Sequence, residues 1–448
     1  MSLILILLAV IGFIVFATSK LKLHPFLVLL LASFITAFAY QLPISSITAT
    51  ISSGVGGLLG QIGLVIVLGT IIGTILEKSG AAITMAEFII KLLGQRFPTL
   101  TMSIIGYIVS VPVFCDSGFV ILNSLKESMA KSMSVSPIAM SVALATGLYA
   151  THTFVPPTPG PIAAAGNLGL ENNLGLVIAV GVFVAATAAF VGMLWANRFI
   201  NIQPDNLDED DVITMPEGTH SYGELPSALK AFAPIMGPIL LICLGSIANL
   251  PSRPLGDAGL FQLLVFLGTP LNALLVGLLL SFSLIKGDDR ITDFSSRIAD
   301  GLTAAAPILL ITGAGGAFGA VLKATPIGNY IGVTLSALGV GLFMPFIVSA
   351  ALKSAQGSST VALVTTSALV APLLPELGLD SEMGRVLTVM AIGAGAMTVS
   401  HANDSFFWVV SQFSKMSVSL AYRAHTMATL VQGVVAMLLV YVLSLFLL

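Results

Sequence analysis

Four stretches of this sequence place polar or charged side chains inside otherwise apolar runs. In VFCDSGFVILNS, Val113–Ser124, Asp116 stands between apolar segments with Gly118 beside it. A carboxylate at membrane depth is costly unless it is paired, hydrated or protonated, and an acid that can take up a proton there suits a proton carrier. In THTFVPPTPGP, Thr151–Pro161, four prolines forbid a continuous helix, so the backbone unwinds. Unwound backbone at membrane depth is tolerated only against protein or a water-filled cavity, into which His152 and the hydroxyls of Thr151, Thr153 and Thr158 would point. In LKSAQGSSTVAL, Leu352–Leu363, Gly357 permits a tight turn and Ser358, Ser359 and Thr360 open the next apolar segment. A helix N-terminus with free N–H groups is an anion site. With Lys353 and Gln356 nearby, this one suits a small polyhydroxylated carboxylate. In SHANDSFFW, Ser400–Trp408, the residues His401, Asn403 and Asp404 fall within one helical turn, and Phe406, Phe407 and Trp408 resume the apolar character. Each stretch also has a plainer reading: an interfacial loop around Asp116, a tight extracellular loop at the prolines, a snorkelling Lys353, and a polar loop between spans with its aromatics at the interface.

The surroundings of these stretches are membrane-like. Of 448 residues, 56% are hydrophobic and 9% charged, against about 25% charged in soluble domains. Runs such as Met1–Ser19, Phe26–Tyr40, Leu58–Leu76, Leu174–Trp195, Leu229–Leu250, Leu260–Ile285 and Met427–Leu448 approach or exceed the roughly 20 apolar residues that cross a bilayer. The expectation is an all-α polytopic membrane protein with roughly ten to twelve spans plus broken or re-entrant segments. Continuous apolar runs exclude a β-barrel, whose strands alternate. No basic stripe suggests nucleic acid. Cys115 and Cys243 form neither a metal spacing nor a disulfide framework. The first segment lacks a basic n-region and reads as a retained span. His24 sits at a membrane boundary and His425 begins the last span, while Asn123, Lys126, Glu127 and Lys131 mark the far end of a hairpin. Neither a nucleophile elbow, nor a phosphate loop, nor a zinc motif occurs. No cofactor or metal is expected, and energy should come from an ion gradient.

Lys20 and Lys22 follow the first span and no positive charge precedes it, so the N-terminus is placed outside and that loop inside. The long polar segment near Arg198–Leu225, with the acidic run Asp208–Asp211, divides the chain into a membrane unit over 1–197, a cytoplasmic linker over 198–227 and a second membrane unit over 228–448. The halves share patterns. GTIIGTILEKSGAA, Gly69–Ala82, pairs with GGAFGAVLKATPIG, Gly315–Gly328. Ser110–Val120 pairs with Ser349–Val361, and Thr151–His152 with Ser400–His401. By loop charge, the first copy of the glycine motif runs inward and the second outward. This is the pattern of inverted-topology repeats, in which breaks at corresponding positions mark the binding site.

FCDSGFV, THTFVPPTPGP, QGSSTVA and SHANDSFFW resemble the signatures of the gluconate permease family of the ion transporter superfamily, and the resemblance runs from the first span to the last. It implies proton symport of gluconate and related sugar acids across the bacterial inner membrane. It also implies re-entrant hairpins meeting discontinuous helices, an elevator motion and a homodimer. Carried over by residue, it places Asp116, Thr151, His152, Gln356, Gly357, Ser358, Thr360, His401, Asn403 and Asp404 at or near the binding region. The sequence departs from the family pattern at Asp116, where many members have glutamate, at Lys353, where they have arginine, and at Thr158, often histidine. A shorter acid or a different aldonate fits these changes.

The combined expectation is a proton symporter, not an enzyme. Lys353, Ser358, Ser359 and Thr360 would hold a small sugar-acid anion, His401 and Asn403 its hydroxyls, and Asp116 or Asp404 the proton. Sodium coupling through carbonyls near Gly357 and Asn403 is the alternative. An intramembrane enzyme using His401 with Asp404 or Asp116 is a third.

Overall fold

A computed structural model describes residues 2–448 except 22, 95, 112, 203–223, 249–258, 288, 326–340 and 402–403. Asn403, Lys22, the acidic run Asp208–Asp211, His220 and the end of the Gly315–Gly328 segment lie outside the described residues. The described elements are helical. Before the linker come α1 Ser2–Ser19, α2 Pro25–Ala39, α3 Ile44–Lys78, α4 Ala81–Leu93, α5 Pro98–Val109, α6 Cys115–Ser132, α7 Pro137–Phe154, α8 Pro159–Asn167 and α9 Leu174–Ala196. After it come α10 Ala228–Ala248, α11 Leu260–Gly268, α12 Pro270–Ser281, α13 Arg290–Lys323, α14 Phe343–Gln356, α15 Ser359–Val370, α16 Glu382–Met397, α17 Ser405–Phe413, α18 Val418–Ala421 and α19 Met427–Leu447. A π turn over Tyr422–Thr426 joins the last two.

Proline sets many of the starts. Pro25, Pro98, Pro137, Pro159 and Pro270 each occupy the first turn of a helix, where the missing N–H has no partner to lose. The same residue shortens the spans. Composition reads Leu260–Ile285 as one run, but the chain bends by 78° between Gly268 and Pro270. Among the described residues, five helices are long and apolar enough to cross a bilayer, or seven if each bent pair is one span. The bent pairs are the broken or re-entrant segments expected beside the spans.

Burial separates an interior from a lipid-facing shell. α7, α8, α15 and α16 are buried on almost every side. α9 and α19 instead expose Phe183, Phe190, Leu194, Leu438, Tyr441 and Leu445, as helices facing hydrocarbon do. The buried helices nevertheless carry Ser141, Thr146, Thr151, His152, Thr365, Thr366 and Thr388, so the polar content of the chain collects at its centre.

Small residues set the packing. α3 and α13 run antiparallel, with Gly54 against Gly316, Gly63 against Leu309 and Ile71 against Gly301. A Cβ on Gly54 would come within 2.6 Å of the Gly316 carbonyl oxygen, so the two backbones touch. α5 crosses α7 at Gly147, where a Cβ would collide with the Ser103 carbonyl; α14 crosses α16 at Gly395, where it would collide with the Phe346 carbonyl. α6 lies along α17, and α15 lies along α8. Both of these contacts join an element before the linker to one after it.

Candidate functional site

The four polar stretches occupy four breaks: between α5 and α6, between α7 and α8, between α14 and α15, and between α16 and α17. The structure draws parts of all four together. Lys353, on the last turn of α14, sends its ammonium to Asp404 Oδ2 and to the Gly357 carbonyl, each at 2.6 Å. Its Nζ also lies 5.7 Å from the centre of the Tyr149 ring. Lys353 is 1% exposed and Asp404 4%, so this ion pair is sealed in protein. Gly357 makes the turn possible, with φ of +87° and its N–H donating back to the Lys353 carbonyl at 2.9 Å.

Asp404 has a second task. It caps α17, its Oδ1 accepting from the Phe406 N–H at 3.1 Å. Its Oδ2 also accepts a short hydrogen bond from Ser400 Oγ. The sequence reading put His401, Asn403 and Asp404 in one helical turn. The described part of that segment, Thr398–His401 and Asp404, is instead non-helical. Val399 stands in the left-handed region at φ +59°, where a β-branched residue is strained by about 1–3 kcal/mol. Ser400 next to it is clamped from α19 and the π turn: its N–H donates to Thr429 Oγ1 at 3.0 Å and its carbonyl accepts from Thr426 Oγ1 at 2.6 Å. The clamp holds the strained break in place. His425, fully buried in the same π turn, puts Nε2 3.1 Å from Ser400 Oγ.

The remaining sequence candidates fall around this centre. His401 Nε2 meets the Ser354 carbonyl at 3.0 Å. Asp116, in the first turn of α6, accepts from Ser405 Oγ at 3.5 Å, which joins the first break to the fourth. His152 stacks near-parallel on Tyr149, with ring centres 6.4 Å apart, and lies 6.0 Å from Phe114. Its Nδ1 is buried without a partner. Ser358 caps α15 through the Val361 N–H, and Ser359 is buried in the first turn. Gln356 ends α14. The hydroxyls of the second break, expected to face a cavity, bond to their own backbone instead. Thr151 turns to the Leu148 carbonyl, Thr153 to those of Tyr149 and Ala150, and Thr158 to that of Val155.

Three participants escaped the sequence reading. Tyr149 reaches from α7 to the Ala396 carbonyl at 3.3 Å and packs 5.2 Å from Phe406. His425 was read only as the start of the last span. Lys126 was read as the far end of a hairpin, yet it is fully buried, 3.2 Å from Glu127 Oε1 and 3.4 Å from the Phe413 carbonyl. The available signal was the rule that an ionisable residue inside an apolar helix is a functional candidate.

A cavity of about 560 Å³ lies apart from the ion pair, lined by α3 and α13 on one side and by the ends of α8 and α15 on the other, with Asn167, Lys323 and Arg385 in its wall. Lys353 and Asp404, by contrast, are buried charges at the place where parts of the four breaks come together.

Comparison with known proteins supplies the family. The model described as GntP family permease matches residues 1–446. A gluconate permease of Pseudomonas aeruginosa is 32% identical over 98% of this chain and 96% of its own. A D-serine transporter of Escherichia coli K12 is 32% identical over 96% of each. Among solved structures, the YdaH transporter of Alcanivorax borkumensis shares the fold with a TM-score of 0.61 at 15% identity, over 91% of this chain and 90% of that one.

Proposed function

This chain belongs to the GntP permease family, a multi-pass membrane permease and not an enzyme, and from that premise we propose that it imports gluconate or a related small hydroxylated acid with a proton across the bacterial inner membrane. The observation that carries this reading is the buried Lys353–Asp404 pair at the meeting of the breaks. An ammonium held by an internal carboxylate is unavailable to a substrate. Protonation of Asp404 removes that competitor, and the substrate carboxylate takes its place on Lys353. Proton and anion then enter together and the charge of the site is unchanged. Breaking a buried pair without such replacement would strand a charge, so neither ion enters alone.

In this reading Ser358, Ser359 and Thr360 assist Lys353 at the α15 N-terminus. His401 and Asn403 take hydroxyls, and Thr151, His152, Gln356 and Gly357 line the passage. Asp116, half-buried beside Ser405, is the second acid of the coupling site. The cargoes named for the relatives, gluconate and D-serine, share a carboxylate and a hydroxyl, which is the chemistry these groups select. Proton coupling is favoured over sodium because the Gly357 carbonyl, a ligand the sodium reading needs, already accepts from Lys353.

The glycine crossings of α5 with α7 and of α14 with α16 support two inverted repeats, 1–197 and 228–448, about a linker over 198–227. The α3–α13 pair would be the fixed scaffold of an elevator motion, and the hairpins with α7, α8, α16 and α17 its moving part. A homodimer with the N-terminus in the periplasm completes the reading. Uptake of labelled gluconate, glycerate and a four-carbon aldonate into proteoliposomes under an imposed pH gradient tests it. Accumulation of one of them is expected, and accumulation driven by sodium at equal pH would overturn the proton assignment.

A further inference from the structure

We propose that His425 is a proton-relay residue that feeds Asp404 through Ser400. The inference rests on the reading of Asp404 as the acid that takes the coupling proton. Its basis is the direction of the hydrogen bonds. Ser400 has one hydroxyl proton, and it is given to Asp404 Oδ2. Ser400 Oγ can then only accept from His425, so the contact of 3.1 Å requires the proton on Nε2. That fixes the tautomer and leaves Nδ1 as a bare acceptor. Nδ1 is buried and has no partner. An unsatisfied buried acceptor is destabilising, and in this chain of groups it stands at the end where a proton would enter.

The relay balances. A proton from the outer solution bonds to His425 Nδ1. The Nε2–H proton passes to Ser400 Oγ, and the Ser400 hydroxyl proton passes to Asp404 Oδ2. One proton enters and one O–H bond forms at Asp404, while His425 and Ser400 finish neutral with the number of protons they began with. Every bond in the chain then points the other way: Asp404 donates to Ser400, Ser400 donates to Nε2, and Lys353 is released.

The local structure suits the task. Thr426 and Thr429 pin the Ser400 backbone from the same helix that carries His425, so relay and acceptor share one frame. The π turn that presents His425 is a rare geometry that occurs frequently at functional sites. Around the imidazole, α17 brings Phe406 at 5.3 Å and Phe407 at 6.4 Å, with Asp404 at its head. α7 packs beside the π turn and carries Tyr149 and His152, and Lys353 of α14 lies over the Tyr149 ring. The phenyl rings flank the fully buried imidazole, so a proton reaches it only when its surroundings move.

The variant His425→Gln separates relay from positioning. Its amide Nε2 can donate to Ser400, but it has no second basic nitrogen. In proteoliposomes it should keep substrate exchange at equal pH within about twofold and lose accumulation driven by a pH gradient by about tenfold or more. His425→Asn is a second variant: its shorter amide reaches the place of Nδ1, so it supplies neither the donor to Ser400 nor a basic nitrogen and should also lose driven accumulation; a thermal melt in detergent checks the fold of each. Wild-type accumulation in either folded variant overturns the relay, as does equal loss of exchange and accumulation, which would mark His425 as structural. Asp404→Asn is run alongside. If it accumulates substrate normally, the reading of Asp404 falls and the relay with it. If it is inert to the gradient while His425→Gln is not, the relay alone falls.

Discussion

The break between α7 and α8 and the break between α16 and α17 both interrupt buried helices, yet they are built from different chemistry. The first is a proline turn. Pro156, Pro157, Pro159 and Pro161 set its backbone, its threonine hydroxyls bond within their own segment, and its histidine stacks on Tyr149. The second contains no proline. Its backbone passes through a strained Val399 and is held by threonines from a neighbouring helix, and it carries a buried carboxylate bound to a lysine of a third element. Backbone groups freed by a broken membrane helix must find partners, and the halves solve this once within the segment and once across elements. The cross-element solution is the one that can respond to a proton. The two breaks thus differ in what holds them: the first is satisfied within its own segment, and the second holds the buried ion pair.

This contrast can be broken in order of expected effect. Lys353→Ala strands Asp404 as a buried charge and should cost about 3–5 kcal/mol of stability, read as a large loss of melting temperature in detergent. Lys353→Met with Asp404→Leu should recover most of the stability and none of the transport. Gly147→Ala and Gly395→Ala should then cost similar amounts, about 1–3 kcal/mol each, since each Cβ would strike a backbone carbonyl of the crossing helix. A large disparity between those two would show that the crossings are not equivalent. Thr426→Val removes the donor to the Ser400 carbonyl and should cost about 1–3 kcal/mol, with driven uptake falling alongside. Thr153→Val, in the first break, loses only bonds to its own helix. It should change stability by less than about 1 kcal/mol and leave uptake within about twofold; a larger effect would assign chemistry to the proline break as well.

Much of this was legible in the sequence, for identifiable reasons. Proline and glycine mark breaks, and a charge in an apolar run stands out, so Asp116, Lys353, His401 and Asp404 are visible from the sequence alone. What the sequence could not convey was pairing. Lys353 and Asp404 were assigned separate tasks, one for the anion and one for the proton, because 51 residues separate them and neither spacing nor periodicity reports that distance in space. His425 was passed over because a histidine at the head of an apolar span looks like a boundary residue. Only the π turn and the Ser400 contact reveal it as internal. The threonine hydroxyls near the prolines were expected to face a cavity because sequence shows a hydroxyl but not its direction, and a helix carbonyl one turn back is a ready acceptor.

The central claim is that a proton on Asp404 frees Lys353 for the substrate carboxylate. Its direct test is the proton uptake that accompanies substrate binding to the purified protein in weakly buffered detergent solution, measured by titrating gluconate or the acid found to be transported. By linkage, a bound state that holds an added proton draws it from solution and binds more tightly as pH falls. About one proton taken up per substrate bound is expected in the wild type, and none in Asp404→Asn, which should bind with little dependence on pH. Substrate binding without proton uptake in the wild type, or undiminished uptake in Asp404→Asn, would contradict it.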